Sequence, residues 1–294
     1  GLNADSKITG MAQYQSTLYF LVGPSSSIPC FKWSKTSTSG DLTSMPKGNV
    51  LLSWKSRLWV ASTLSSTNGD RVWFSKVGAQ GPEPDVWETN DYFNVAPGEG
   101  GFITAMIPSF NNLIVFKNDG TWRFSFPSSP KQGTIDKISG QVGAASKNSV
   151  IEFENFIYVY DQGSVYELVN SNYAKLNVFI RFDEDTQAVD GIAPGVELSI
   201  LNRRLIIRYF NALYVFTIDT KSWSMWRTIN GTPGRWLELP VDSSSANSST
   251  YIAPTRGVTQ RPSDNLLKNT SAEISNNRTV WFDMDTVFTE PFPH

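Results

Sequence analysis

The side chains that most often do chemistry in enzymes are sparse in this chain. It has one cysteine, Cys30, and its single histidine, His294, is the last residue. A Ser–His–Asp triad therefore lacks its histidine, and a zinc site lacks its usual ligand set. Phosphate-binding glycine loops and the G-x-S-x-G turn of hydrolases are also missing from the sequence. We expect no catalytic, cofactor-binding or metal-binding residues, and we expect Cys30 to be a buried structural thiol.

Paired carboxylates are the one catalytic option that remains, because glycoside hydrolases work with two of them. Asp161 falls in the predicted turn "DQGS", where we expect it to stabilise the turn by local hydrogen bonding. The run 183–185 is interpreted as a solvated face, with a weak cation site as the alternative. The candidate acids are Asp85, Glu88, Asp91, Glu99, Asp161 and the run Asp183-Glu184-Asp185.

Five basic residues fall on predicted strands or hairpin turns. Strand alternation could place some of them on one exposed edge or along a channel. Such a channel could pass DNA through weak contacts that do not depend on sequence. Ordinary surface salt pairs are the alternative. The five residues are Lys117, Arg123, Arg203, Arg204 and Arg208.

One pattern recurs along the chain and indicates how these side chains are positioned. An apolar strand is followed by a short polar turn and a second apolar strand, and a further turn leads to a strand that carries an aromatic residue. Equivalent apolar positions lie 40 to 55 residues apart, which is the period of a propeller blade. We therefore predict an all-β fold, a β-propeller of about five to six blades made of short antiparallel strands. The equivalent positions are Leu18, Leu58, Leu113, Phe156 and Leu205.

The propeller is predicted to cover residues 1–240. Residues 241–294 are predicted to be an irregular segment that closes the ring or docks on a neighbouring subunit. A long Gly- and Pro-rich loop over 77–101 is expected to carry one short strand around Tyr92–Val95. The stretch 171–185 could be a short helix or a pair of strands.

Composition agrees with a β-rich globular protein. Aromatic residues make up 13% and charged residues 18% of the chain, and the net charge is −2. A charge this small gives no global field that would attract nucleic acid or anionic lipid. The sequence has no apolar run long enough for a transmembrane helix and no signal-peptide pattern at its start, so no membrane segment is expected.

Two stretches, 70–126 and 205–226, resemble bacteriophage virion proteins of the tail-nozzle and DNA-stabilisation kind. The matching positions are Trp73-Phe74-Ser75, Pro84-Asp85-Val86-Trp87, Ile103-Thr104-Ala105-Met106 and the stretch from Leu113 to Trp122. The resemblance covers roughly residues 50–226 and rests on degenerate β signals.

This resemblance implies a structural virion protein without enzymatic activity, assembled in the host cytoplasm and located in the phage tail. It implies a homo-oligomeric ring, a hexamer, that retains packaged DNA, touches it transiently and non-specifically, and forms part of the channel for its ejection. Other tail proteins, such as an adaptor, fibres or spikes, would be its partners.

The alternative is a carbohydrate-binding or glycoside-hydrolase-like propeller. It requires two or three carboxylates that converge at the propeller axis. An interaction scaffold of the WD-repeat or kelch type is less favoured, because the dipeptide signatures of those repeats are missing.

Overall fold

The computed structural model describes residues 8–34, 37–61, 69–77, 85–176, 196–209, 212–228, 235–239, 249–253 and 287–291. Within these ranges the secondary structure is β-strand, apart from 3₁₀ helices at Pro130–Gln132 and Lys147–Ser149. Neither helix is long or apolar enough to cross a membrane. The chain divides into two compact units, 1–181 and 182–294, so the boundary falls inside the predicted propeller range.

The first unit consists of four antiparallel sheets, each formed by four strands that are consecutive in the chain. Sheet 1 contains β1 (Ile8–Tyr14), β2 (Thr17–Val22), β3 (Cys30–Ser34) and β4 (Ser37–Leu42). Sheet 2 contains β5 (Val50–Trp54), β6 (Arg57–Ala61), β7 (Arg71–Phe74) and β8 (Tyr92–Asn94). Sheet 3 contains β9 (Ile103–Ser109), β10 (Asn112–Lys117), β11 (Gly120–Ser125) and β12 (Thr134–Ser139). Sheet 4 contains β13 (Val150–Phe153), β14 (Phe156–Asp161), β15 (Ser164–Val169) and β16 (Asn172–Lys175).

The second unit contains a fifth sheet and a separate hairpin. In the fifth sheet the strand order is β17, β18, β19, β20 and β23, so a late strand of the chain pairs with β20. The hairpin is formed by β21 and β22. The strands are β17 (Glu197–Leu201), β18 (Arg204–Tyr209), β19 (Ala212–Thr217), β20 (Ser222–Thr228), β21 (Arg235–Leu239), β22 (Ser249–Ala253) and β23 (Val287–Pro291).

The first two strands of all five sheets are joined by two-residue turns, which confirms the five predicted hairpins. Several turns have positive φ at both central residues, as in Glu154 (51°) and Asn155 (70°). This is the backbone of the turn whose twist matches that of the flanking strands.

The strand register corrects one predicted equivalence. Phe153 pairs with Phe156 at the turn of sheet 4, as Ser109 pairs with Asn112 in sheet 3. The counterpart of Leu113 is therefore Ile157 and not Phe156. Because neighbouring residues of a strand point to opposite faces, the one-residue difference exchanges a buried position for a half-buried one.

In the first unit, the first strands of successive sheets lie side by side: β1 beside β5, β5 beside β9, and β9 beside β13. Each of these strands is also an edge strand of its sheet. The Lys147 ammonium, just before β13, donates a hydrogen bond to the Thr9 carbonyl of β1. This contact joins the connection before sheet 4 to sheet 1, and the side-by-side arrangement of the four sheets is that of a propeller-like all-β fold.

The second strands of sheets 2 and 3 pack through both of their faces. In β6, Leu58 and Val60 belong to the core shared with sheet 1, whereas Trp59 and Ala61 belong to the core shared with sheet 3. A strand that is buried on both faces has no polar alternation, which explains its continuous apolar run.

Other sequence predictions are confirmed in part. The long loop carries β8 at Tyr92–Asn94, as expected. The ambiguous stretch 171–185 contains a strand at Asn172–Lys175, and its remainder from 177 lies outside the described residues. Of the segment 241–294, the structure describes only β22 and β23.

Candidate functional site

A fully buried lysine joins the second and third sheets. Lys117, the last residue of β10, has no exposed surface. Its ammonium donates hydrogen bonds to Asp70 Oδ1 (2.6 Å), to the Ala96 carbonyl (2.9 Å) and to the Glu99 carbonyl (2.6 Å). The Trp122 ring lies 5.1 Å away. All three ammonium hydrogens have acceptors, so Lys117 serves as a joint between sheets and does not face a channel.

Residues 85–91 of the long loop pack against the first two sheets. Asp85 accepts a hydrogen bond from the Tyr19 hydroxyl (2.9 Å) and forms a salt bridge with Lys32, both in sheet 1. Trp87 is buried in the core that sheets 1 and 2 share. This part of the loop therefore connects the first two sheets.

Asp91, at the end of this loop, links sheet 2 to sheet 3. Its buried carboxylate contacts the ammonium groups of Lys131 (2.8 Å) and Lys76 (3.0 Å). Burial acts to raise the pKa of Asp91, but the hydrogen bonds from the two lysines outweigh it and leave that pKa below its ordinary value. Glu88 shares Lys76 at 2.9 Å and is itself exposed.

The remaining acidic candidates lie in separate places. Glu99 pairs with Lys137 at 2.7 Å on an exposed surface. The carboxylate of Asp161 accepts a hydrogen bond from the Gly143 amide (2.9 Å), which belongs to the connection between sheets 3 and 4. The prediction was a hydrogen bond within its own turn, so the carboxylate acts over a longer distance in the chain than expected. The run Asp183-Glu184-Asp185 lies outside the described residues.

The environment of Asp161 shifts the pKa of its carboxyl group upward. Burial raises the pKa of Asp161, the Gly143 amide opposes the shift, and the negative charge of Asp119 adds to it. Burial also raises the pKa of Tyr173, whose hydroxyl lies 2.7 Å from that of Thr121. A buried carboxylate with a raised pKa is a pattern found at functional sites, but structural networks produce it too.

The basic residues with described partners form salt bridges close to their own strands. Arg123 pairs with Asp136 (3.0 Å), Arg203 with Asp219 (2.9 Å) and Arg208 with Glu197 (3.2 Å). The pairs of Arg123 and Arg203 match the alternative of surface salt pairs, whereas Lys117 is paired in the interior. Arg204 is exposed.

Two further predictions concern cysteine and metal. Cys30 is buried, as expected, and burial raises the pKa of its thiol. Within the ranges that the structure describes, no three His, Cys, Asp or Glu side chains come together as a cation site. His294 lies outside those ranges.

An aromatic surface at the hairpin tips was not found from the sequence. The Lys55 ammonium lies 4.7 Å from the Trp54 ring and 4.5 Å from the Phe126 ring, and it donates to the Asn111 carbonyl (3.0 Å) of the neighbouring hairpin. Phe110, beside Asn111, is 70% exposed. We call these five residues the hairpin-tip surface. Its only sequence signal is that Phe110 occupies a turn position that is polar in the other four hairpins.

Fold and contacts define a propeller-like all-β protein in which Lys117, Asp85, Asp91 and Asp161 connect neighbouring sheets. The sequence matches no protein-family model and no curated protein.

The solved structures show a similarity of fold. The extracellular domain of BT4673 from B. thetaiotaomicron is 11% identical, with a TM-score of 0.53, over 88% of this chain and 34% of that one. A second structure of that domain gives the same TM-score. The chain thus spans about a third of the length of these structures. AztD from Citrobacter koseri is 8% identical over 85% of this chain and 75% of that one, with a TM-score of 0.44.

Proposed function

We propose that this protein is a structural component of a bacteriophage tail. In this proposal it is a subunit of a nozzle or tail-tip ring that retains packaged DNA and forms part of the channel for its ejection. The ring is a hexamer, the individual propeller has five to six blades, and other tail proteins attach to it.

The observation that carries the proposal is the location of the residues that resemble the phage family. Trp87 packs between sheets 1 and 2, and Ile103, Met106, Leu113 and Trp122 belong to the core between sheets 2 and 3. The resemblance therefore concerns the joints of a multi-sheet body, which a structural subunit needs.

The use of the charged groups supports the same proposal. Lys117, Asp85, Asp91 and Asp161 all bind groups in another sheet or in a connection between sheets. A glycosidase would need carboxylates that converge on a substrate. These carboxylates instead occupy different junctions, and this favours a scaffold over the sugar-cleaving alternative.

Contact with DNA would be weak in this arrangement. The first strands of sheets 1 to 4 lie side by side and present edge backbone, and four of the five basic candidates are already paired. A passage lined by backbone groups offers few fixed cations to the phosphates. Weak contact of this kind would let DNA pass without stalling.

The test is cryo-electron microscopy of intact virions combined with the oligomeric state of the purified chain. We expect a symmetric ring of copies at the distal end of a short tail, and a multimer in light scattering. A monomeric chain that cleaves oligosaccharides would overturn the proposal.

A further inference from the structure

Sheet 1 has a second apolar face that the described part of the chain leaves partly exposed: Leu18, Phe20 and Phe31 are half-buried there, between two exposed residues. Met11, Phe20 and Phe31 are directly opposite one another on three strands, and Leu18 is opposite Trp33 in the next row on the same face. The Phe20 and Phe31 rings stack at 4.7 Å. Met11 is 61% and Trp33 47% exposed. We call these five residues the outer face of sheet 1.

The opposite face of the same sheet is fully occupied. Tyr19, Leu21 and Cys30 are buried in the core shared with Leu58 and Val60 of sheet 2. Sheet 1 is therefore apolar on both faces but packed on one. Apolar residues that are contiguous on a protein surface often mark an interaction site, whereas isolated ones are common and need no partner.

An acidic residue lies at the border of the outer face. Asp41 is opposite Phe31 in the strand register, and it is exposed. In the described part of the chain it forms no ion pair. A partner that covers the outer face would therefore gain by presenting a cation beside its apolar group.

The hairpin-tip surface has the complementary character. Phe110 occupies the turn with a φ of +51°, a region that bulky side chains rarely adopt. Its ring is largely exposed, and the Lys55 ammonium binds the adjacent Asn111 carbonyl. A strained, exposed aromatic residue in an otherwise polar set of turns is evidence for a functional contact.

We propose that the outer face of sheet 1 binds the hairpin-tip surface of a second copy of this chain. Phe110 of one copy packs against Met11 and Trp33 of the next, and Lys55 lies beside Asp41. The two surfaces are different parts of the chain, so the contact is head-to-tail, and head-to-tail contacts form rings when the rotation closes. The inference rests on the proposed ring function and specifies its subunit interface.

The first experiment measures self-association by sedimentation equilibrium. Phe110→Asn removes the exposed ring and suits the turn, because asparagine tolerates positive φ. Trp33→Ser removes the indole from the outer face of sheet 1. We expect each to raise the dissociation constant at least tenfold without loss of folded signal in circular dichroism. Val86→Asn, a change at another exposed apolar residue, should leave the constant unchanged. Unaltered association in both interface variants would overturn the interface, as would an effect of Trp33→Ser alone.

A charge exchange tests the pairing itself. Asp41→Lys and Lys55→Glu should each weaken association, and the double variant should recover most of it, which a merely structural role of either residue would not produce. Failure of the double variant to recover overturns the proposed pairing. If the interface variants associate as tightly as the wild-type chain, and the wild-type chain forms the tail ring, the proposed function survives and only this interface fails. A wild-type chain that is monomeric, with its outer face covered by its own residues, overturns the interface and the ring together.

Discussion

Lys117 and Asp70 form a 2.6 Å ion pair between two sheets, with the lysine completely buried and the aspartate partly exposed. Two carbonyls of the connecting loop complete the coordination of the ammonium. A buried ammonium is tolerated only when it is paired and fully hydrogen-bonded. The ammonium of Lys117 therefore satisfies three acceptors at a junction that Asp91 and Lys131 also bridge.

We expect Lys117→Met to lower the free energy of unfolding by about 2–4 kcal/mol, because it leaves Asp70 and two carbonyls without their donor. Urea denaturation followed by tryptophan fluorescence measures the change. Lys137→Met is the matched control, since that lysine is half exposed and pairs with an exposed Glu99. Equal stability of the two variants would contradict a structural role for Lys117.

Asp91 should stabilise the fold in a pH-dependent manner. Its folded pKa lies below the ordinary value of 3.8, so its contribution is present above that pH and is lost as the pH falls through the lower folded pKa. We expect Asp91→Asn to cost about 1–2 kcal/mol at neutral pH and to flatten the acid limb of the stability curve. Thermal denaturation between pH 2 and 7, with roughly equal steps, is the measurement. Glu88→Gln, which removes the exposed carboxylate that shares Lys76, should change the curve little.

Asp161 should act in the opposite direction. Its pKa is raised above 3.8 in the folded state, so the folded protein holds this proton more tightly than the unfolded chain. The contribution of this group to stability is therefore fully present below 3.8 and declines as the pH rises through the raised value. We expect Asp161→Asn, which keeps an acceptor for the Gly143 amide, to remove that decline. Asp119→Asn should remove a smaller part, and an unchanged pH profile in both variants would rule out the effect.

The corrected register of sheet 4 can be tested with two alanine substitutions. Ile157 is 2% exposed and belongs to the core shared with sheet 3, whereas Phe156 is half-buried at the turn. We expect Ile157→Ala to cost about 2–4 kcal/mol and Phe156→Ala about 1 kcal/mol. Equilibrium unfolding in guanidinium measures both values. The reverse order would support the alignment on Phe156.

The hairpins could be predicted because their signals are local. In each repeat a two-residue turn, polar except for Phe110 in the third, lies between two apolar strands, and the strand residues adjacent to the turn identify the pair. The position of the fourth repeat was nevertheless predicted one residue early, because Phe156 and Ile157 are both apolar and hydrophobicity alone does not distinguish them. Hydrogen bonding between β13 and β14 decides the register.

The partners of the charged residues could not be predicted. Asp91 and Lys131 are far apart in sequence, and nothing in the composition of either segment indicates the other. Asp161 looked like a turn residue, because aspartate often stabilises turns locally, yet its carboxylate binds an amide of the preceding connection. Lys117 was predicted to lie on a strand or turn, and it is the last residue of a strand. Its burial could not be predicted, because the carbonyls that accept its hydrogen bonds belong to the loop before β9.

The sequence by itself determined that this chain is built from repeated antiparallel hairpins and that it contains a single cysteine and a single histidine. Turn residues, strand alternation and residue counts are properties of short segments, so they can be read without a fold. Tertiary structure decided which carboxylates bind groups at the junctions between sheets, that Lys117 is buried, and which apolar face of sheet 1 remains partly exposed. Each of these depends on which sheets become neighbours, and that follows from packing among residues distant in the chain.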